Sequence, residues 1–190
     1  MKARNKAILA LLAAGMILFG LVHGVILPKI EQDELNYIAA QQDPLTHDIE
    51  SAKRFKNKYM GNAGNLANLF QSLPLSDIRF TFQLYPDLLT AELHYRTTEE
   101  SIKAELLNRA LIYNATAGFA LIDNLEVIHF YFMGTSYKVS RSDVEQWYGV
   151  QASSLIQNEA WVDSVQRELE DTAYVRSAAK ALLMRSVVEN

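Results

Sequence analysis

Apolar residues fall along this chain in three patterns, and each predicts a different element. From Ala7 to Leu27 they run almost unbroken for 21 residues, with His23 the one strongly polar member. A helix over this stretch is about 32 Å long, the thickness of a bilayer's hydrocarbon core. Between Ile102 and Leu121 the apolar positions, among them Leu106, Leu107, Ala110, Leu111 and Ala117, recur at steps near three and four, which predicts a helix with one buried face. From Leu125 the β-branched and aromatic residues Val127, Ile128, Phe130, Tyr131 and Phe132 predict a buried strand, with Asp123-Asn124 as the turn between helix and strand.

Weaker patterns fill in the rest. Arg79 to Gln83 and Thr90 to Arg96 alternate polar with apolar, and Tyr85-Pro86-Asp87 between them predicts a β-hairpin. Asp43-Pro44 reads as the start of a helix through about Lys56, and a glycine-asparagine loop, Lys58 to Asn65, precedes a helical pattern in Leu66, Leu69, Phe70 and Leu73. Thr97 to Ser101 reads as the N-cap and first turn of the central helix. A capping box at Ser142 and Glu145 opens a helix that Gly149 closes. From Ala152 onward the pattern is helical, with a break near Asp171. The expected fold is α+β: a transmembrane helix, then an antiparallel sheet of about four strands near 78–84, 89–96, 125–133 and 136–140, packed with helices that include 99–121, and a C-terminal helical tail. The expected divisions are a cytoplasmic tip and anchor at 1–30, a stalk and helix at 31–57, an α+β domain at 58–149 and a helical extension at 150–190.

Charge orients this arrangement. The chain is formally −4, yet residues 1–30 carry Lys2, Arg4, Lys6 and Lys29 with no acid, so the remainder sums to −8. Three basic residues before the span, against Glu31, Asp33 and Glu34 soon after it, place the N-terminus in the cytoplasm and the body outside. The span is long for a cleaved signal and Val22-His23-Gly24 is a poor exit site, so an uncleaved signal anchor is expected. Nucleic acid is excluded as a partner by the acidic body without a basic stripe in the sequence. The chain has no cysteine, which removes disulfides, thiolate metal sites, a thiol nucleophile and a lipidated N-terminal cysteine.

The sequence carries no catalytic signature. His23, His47, His94 and His129 are scattered, no His-Glu-x-x-His occurs, and Gly134-Thr135-Ser136 is not a nucleophile elbow. Neither a metal nor another cofactor is expected, and the chain is read as a non-enzyme. Polar-tipped and aromatic groups in loops and at element ends are the candidate contacts: Tyr59, Asn62 and Asn65 in the glycine loop, Tyr85 at the hairpin, Arg141 and Trp147. Of these, Tyr59, Asn62 and Arg141 are the leading candidates for a ligand or partner site.

Several of these pieces together resemble a known family. Tyr59-x-Gly61-Asn62, Leu73-Pro74-Leu75, Leu84-Tyr85-Pro86, Phe119-Ala-Leu-Ile-Asp-Asn124 and Arg141 with Trp147-Tyr148-Gly149 are similar to a bacterial domain-of-unknown-function family, the one numbered four-eight-two-five, over about residues 58–149. The resemblance implies an extracytoplasmic domain, standing alone behind an anchor or attached to a membrane metallopeptidase. It implies no catalytic residues. The resulting expectation is a membrane-anchored binding or sensing module at the bacterial cell envelope, with an envelope protein or a small ligand as its partner. The alternative is a structural subunit of an envelope complex that uses its C-terminal helices, and an envelope hydrolase ranks behind both.

Overall fold

A computed structural model of the chain describes residues 2–157 and 160–188. These fall into two compact units, Met1–Ala40 and Gln41–Asn190.

The first unit is helical throughout: α1 (Lys2–Leu21), a single π-helical turn at Val22–Ile26, and α2 (Leu27–Gln41). Leu11–Gln41 is long and apolar enough to cross a membrane, with none of its most apolar window buried in protein. The side chains of Lys2, Arg4 and Lys6, on which the predicted orientation rests, lie outside the described ones. The π turn holds both His23 and Gly24.

The second unit follows in chain order as α3 (Ile49–Ala52), α4 (Ala63–Gln71), β1 (Phe80–Tyr85), β2 (Thr90–Tyr95), α5 (Ala104–Leu121), β3 (Val127–Phe132), β4 (Thr135–Ser140), α6 (Arg141–Tyr148), α7 (Ala152–Leu155), α8 (Thr172–Leu182) and β5 (Met184–Val187). The class is α+β, as expected. The sheet is mixed, with five strands in the order β1-β2-β3-β4-β5. The hairpins β1–β2 and β3–β4 are antiparallel, as is β4–β5, but β2 and β3 run parallel. The connection between them is α5, and a helix that carries the chain back along the sheet returns it in the same direction. The fifth strand lies in the tail expected to be all helix; at four exposed residues it is too short to show alternation.

The core is built around α5, where 13 of 18 residues are buried. Small residues let neighbours approach closely: a Cβ added at Gly118 would meet Ile128 Cδ1 at 2.9 Å and Phe70 Cζ at 3.2 Å. Leu121 and Phe130, the apolar residues of the central stretch, are both fully buried. One face of the sheet, with Leu93, Ile128, Phe130 and Val139, packs into this core. The tail packs there too through Val175, Ala178 and Leu182, and Asp171 caps α8 by accepting from Ala173 N at 2.7 Å, at the predicted break.

Three predicted helix starts are displaced for identifiable reasons. Asp43-Pro44 does initiate a turn, Leu45 N donating to Asp43 Oδ1 at 2.9 Å, but the helix restarts at Asp48. Between them His47 is drawn inward, its ring nitrogens 2.8 Å from Tyr113 Oη and 2.7 Å from Ser72 O. The central helix begins at Ala104, not near Thr97, because Glu99 is engaged by Tyr137 and Arg185 and the segment Glu99–Ser101 closes only a 3₁₀ turn. Ser140, not Ser142, caps α6 by accepting from Asp143 N at 3.2 Å, which leaves Glu145 to accept from Ala152 N at 3.0 Å.

Candidate functional site

The turn after α5 is a junction for three separate segments. Asn57 N donates to Leu121 O at 2.9 Å and Asp123 N donates back to Asn57 O at 3.0 Å, so residue 57 bridges the end of the helix. Three residues on, Met60 N donates to Asn124 Oδ1 at 2.6 Å. The glycine loop is therefore stapled to Asp123-Asn124 rather than hanging free. Asn124 serves as an acceptor for the loop, while the exposed Asp123 carboxylate makes no hydrogen bond among the described residues.

Arg141 grips the same turn from the other side. Its Nε donates to Leu125 O at 2.8 Å and its Nη2 to Ile122 O at 2.6 Å, while Nη1 lies 3.4 Å from Glu145 Oε1. Its guanidinium carbon stands 5.4 Å from the centre of the Phe119 ring. These contacts follow from position. Ile122 caps α5, so its carbonyl lies at the negative end of the helix dipole, Leu125 O follows in the turn, and an arginine at the first residue of α6 supplies both donors and charge to them. Beside it lies a hollow of about 440 Å³ lined by Lys56, Asp123, Arg141, Glu145, Gln151 and Gln157 among others. The Lys56 ammonium, like the Asp123 carboxylate, has no ion pair among the described residues.

The three leading contact residues meet different fates. Tyr59 is 64% exposed, with its backbone N held by Asn57 Oδ1 at 3.0 Å. Asn62 caps α4 by accepting from Asn65 N at 3.1 Å. Arg141 is 9% exposed, with Nε and Nη2 on backbone carbonyls and Nη1 toward Glu145. Tyr59 and Arg141 are brought to one turn, through Met60 and Asn124 on one side and Ile122 and Leu125 on the other. Asn65 ties the loop to the preceding segment through Phe55 O at 2.6 Å, and Trp147 Nε1 donates to Tyr174 Oη at 2.7 Å, joining α6 to α8.

A second cluster, not singled out from the sequence, sits on the sheet face away from the core. Register places Glu92 beside His129 and His94 beside Tyr131. His94 Nε2 is 3.0 Å from Glu92 Oε2, and the Tyr85 and Tyr131 hydroxyls reach the same carboxylate at 3.4 and 3.5 Å. The Tyr131 ring stacks within 4.5 Å of His94 and 5.7 Å of His129. Loss of solvent, then the Glu92 charge, pushes both tyrosine hydroxyls up, and loss of solvent holds His129 below its ordinary value. Alternation alone places Tyr85, Glu92 and His94 on one face; the parallel pairing with β3 adds His129 and Tyr131.

A third opening, of about 650 Å³, lies where the start of α5 faces α8 and β5, with Ile102, Leu107, Ala179 and Leu183 as apolar lining and Glu99 and Arg185 at its edge. Arg185, foremost, holds the Glu99 carboxyl below the usual range, and the Tyr137 hydroxyl, losing solvent beside Glu99, is pushed up to about 12. Among the described residues no group of three or more His, Asp or Glu side chains is arranged to hold a metal.

Compared with known families, residues 53–142 match the model of a domain of unknown function, DUF4825, the family that the Tyr59, Asp123-Asn124 and Arg141 motifs resemble. That span takes in Lys56, Asp123 and Arg141 at the hollow and ends before Glu145. No curated protein and no solved structure matches the chain.

Proposed function

Taking residues 53–142 as a DUF4825 domain, we propose that this protein is a membrane-anchored, extracytoplasmic binding or sensing module of the bacterial cell envelope, without chemistry of its own. The observation that carries the reading is the hollow beside the α5–β3 turn. Charges of both signs line it, two of them, Lys56 and Asp123, without partners among the described residues, on a turn held rigid from two sides. A rigid element end that displays free polar groups is a contact surface in need of no conformational change. Of the three leading residues Arg141 lines this hollow, while Tyr59 and Asn62 stand on the loop stapled to the same turn. Tyr59 is the exposed contact, Asn62 fixes the loop that carries it, and Arg141 sets the wall of the hollow. The mixed charge suits a small zwitterionic ligand or a polar peptide segment.

The non-catalytic reading is supported by how the titratable groups are used. His47 is buried between Tyr113 and Ser72, His94 bonds Glu92, and among the described residues neither has a serine or threonine hydroxyl as a hydrogen-bond partner. The reading of the tail as a separate partner surface is weakened because its apolar face, Val175, Ala178 and Leu182, is spent in this domain's own core. Orientation follows from the basic residues before the span and the acidic ones after it.

A photo-reactive amino acid at position 59 tests this in native membranes, with one at the exposed Ser177 as the reference. A discrete adduct at 59, lost when Lys56 and Asp123 are changed to alanine while the melting temperature holds, is the expected result. Equal, diffuse labelling at both positions contradicts the assignment of the site.

A further inference from the structure

The open face of the sheet carries three of the cations of an acidic unit. Thr81 pairs with His94, and the ladder continues one step through Arg96 N donating to Arg79 O at 2.9 Å, so Arg79 and Arg96 stand directly opposite each other on this face. Both are exposed, and neither side chain has an ion pair or hydrogen bond among the described residues. Like charges facing each other across a ladder cost stability unless an anion lies between them. A third cation stands on the same face, Lys138, paired with His129. Against Arg79, Arg96 and Lys138 the face carries a single carboxylate, Glu92, already engaged by His94, Tyr85 and Tyr131. This face is therefore positive within a body, residues 31–190, that sums to −8 because the whole chain is −4 and the first thirty residues are +4.

We propose that the open sheet face docks on the anionic phosphate headgroups of the membrane that holds the chain's own span. The proposal rests on residues 7–27 being that span, and it is independent of the contact site at the α5–β3 turn. A tethered domain meets the headgroups at high effective concentration, so a few basic side chains suffice where a free protein would need many. Tyr85 and Tyr131 suit the same place, since their rings are apolar and their hydroxyls polar. Gln83 and Thr81, exposed between the arginines and Tyr85, leave the surface open to contact.

The absence of cysteine makes the test direct. The full chain with a dye at Gln83→Cys, and separately at the exposed Ser177→Cys as the control, is placed in nanodiscs of phosphatidylcholine alone or with about one-third phosphatidylglycerol, each with a headgroup-attached quencher. Docking quenches the dye at 83 but not at 177, in the anionic discs only, and the difference disappears in about 1 M salt, where charges are screened within about 3 Å. Arg79→Glu with Arg96→Glu lowers the docked-to-free ratio by about fivefold or more for each side chain. Lys138→Glu serves the same purpose should the double variant lose its circular dichroism. Equal quenching in both disc types overturns the proposal. So does binding of soluble polyphosphate without quenching in anionic discs, which would give the face to a soluble polyanion. Failure of the chain to enter discs at all overturns the span and the docking together, leaving the turn site untouched.

Discussion

At the scale of single residues, the roles of Tyr59 and Arg141 separate by burial. Arg141 spends two donors on carbonyls of the turn after α5, so Arg141→Ala removes the donor of Leu125 O and leaves Ile122 O only Leu125 N at 3.3 Å, and should cost about 2 kcal/mol in chemical denaturation. Tyr59→Ala removes an exposed ring and should change stability by less than about 0.5 kcal/mol. A stable Arg141→Ala protein would show that the clamp is dispensable. Gly118 is the position where close approach decides the residue: Gly118→Ala drives a methyl toward Ile128 and Phe70 and should destabilise by about 1–3 kcal/mol despite the better helix propensity of alanine. A gain in stability would mean the neighbours move aside freely. Asn114 shows how a sequence signal is overridden by burial. Its Asn-Ala-Thr triplet matches a glycosylation acceptor, yet the side chain is fully buried and donates to Pro74 O at 2.7 Å.

At the scale of elements, strong periodicity was legible and local competition was not. The body of the central helix, the strand after it and the β1–β2 hairpin stand where the apolar pattern puts them, because each buries enough surface for the pattern to persist over several residues. Phe130→Ala should accordingly cost about 3–5 kcal/mol, and Leu121→Ala about 2–5 kcal/mol, in urea unfolding. Losses under about 0.5 kcal/mol at both would remove them from the core. The missed features depend on contacts distant in sequence. Glu99 leaves the start of α5 for Arg185 on β5, 86 residues away, and nothing near Thr97 signals it. The strand β5 is short and its pairing with β4 is set by tertiary packing. The parallel step from β2 to β3 was readable in principle, since a long helix between two strands implies a crossover. Of the candidate site, the turn residues and Arg141 could be picked out from the sequence, but the hollow could not, because Glu145 and Gln151 join it only through the folding of α6 and α7.

At the scale of the whole molecule, the buried His47 and the half-buried His129 set a response to acid. Loss of solvent lowers His47 and His129 below the ordinary value of 6.5. The unfolded chain then takes up protons before the folded one, so the stability these residues contribute is complete above about pH 6.5 and declines as pH falls below it. Glu99, held below its ordinary 4.5, acts in the same sense at lower pH, since its contribution is lost as it becomes protonated. The denaturation midpoint should fall between pH 7.5 and 5.5, and His47→Gln should weaken that slope; a midpoint independent of pH would contradict the buried placement of the His47 ring. The same scale holds the central claim, that an anchor at residues 7–27 presents the domain outside the membrane. Ser177→Cys creates the only thiol in the chain, at an exposed position on α8. Applied to intact cells, a membrane-impermeant maleimide should label this thiol fully before permeabilisation. Labelling that appears only after the membrane is opened would place the domain inside and contradict the account.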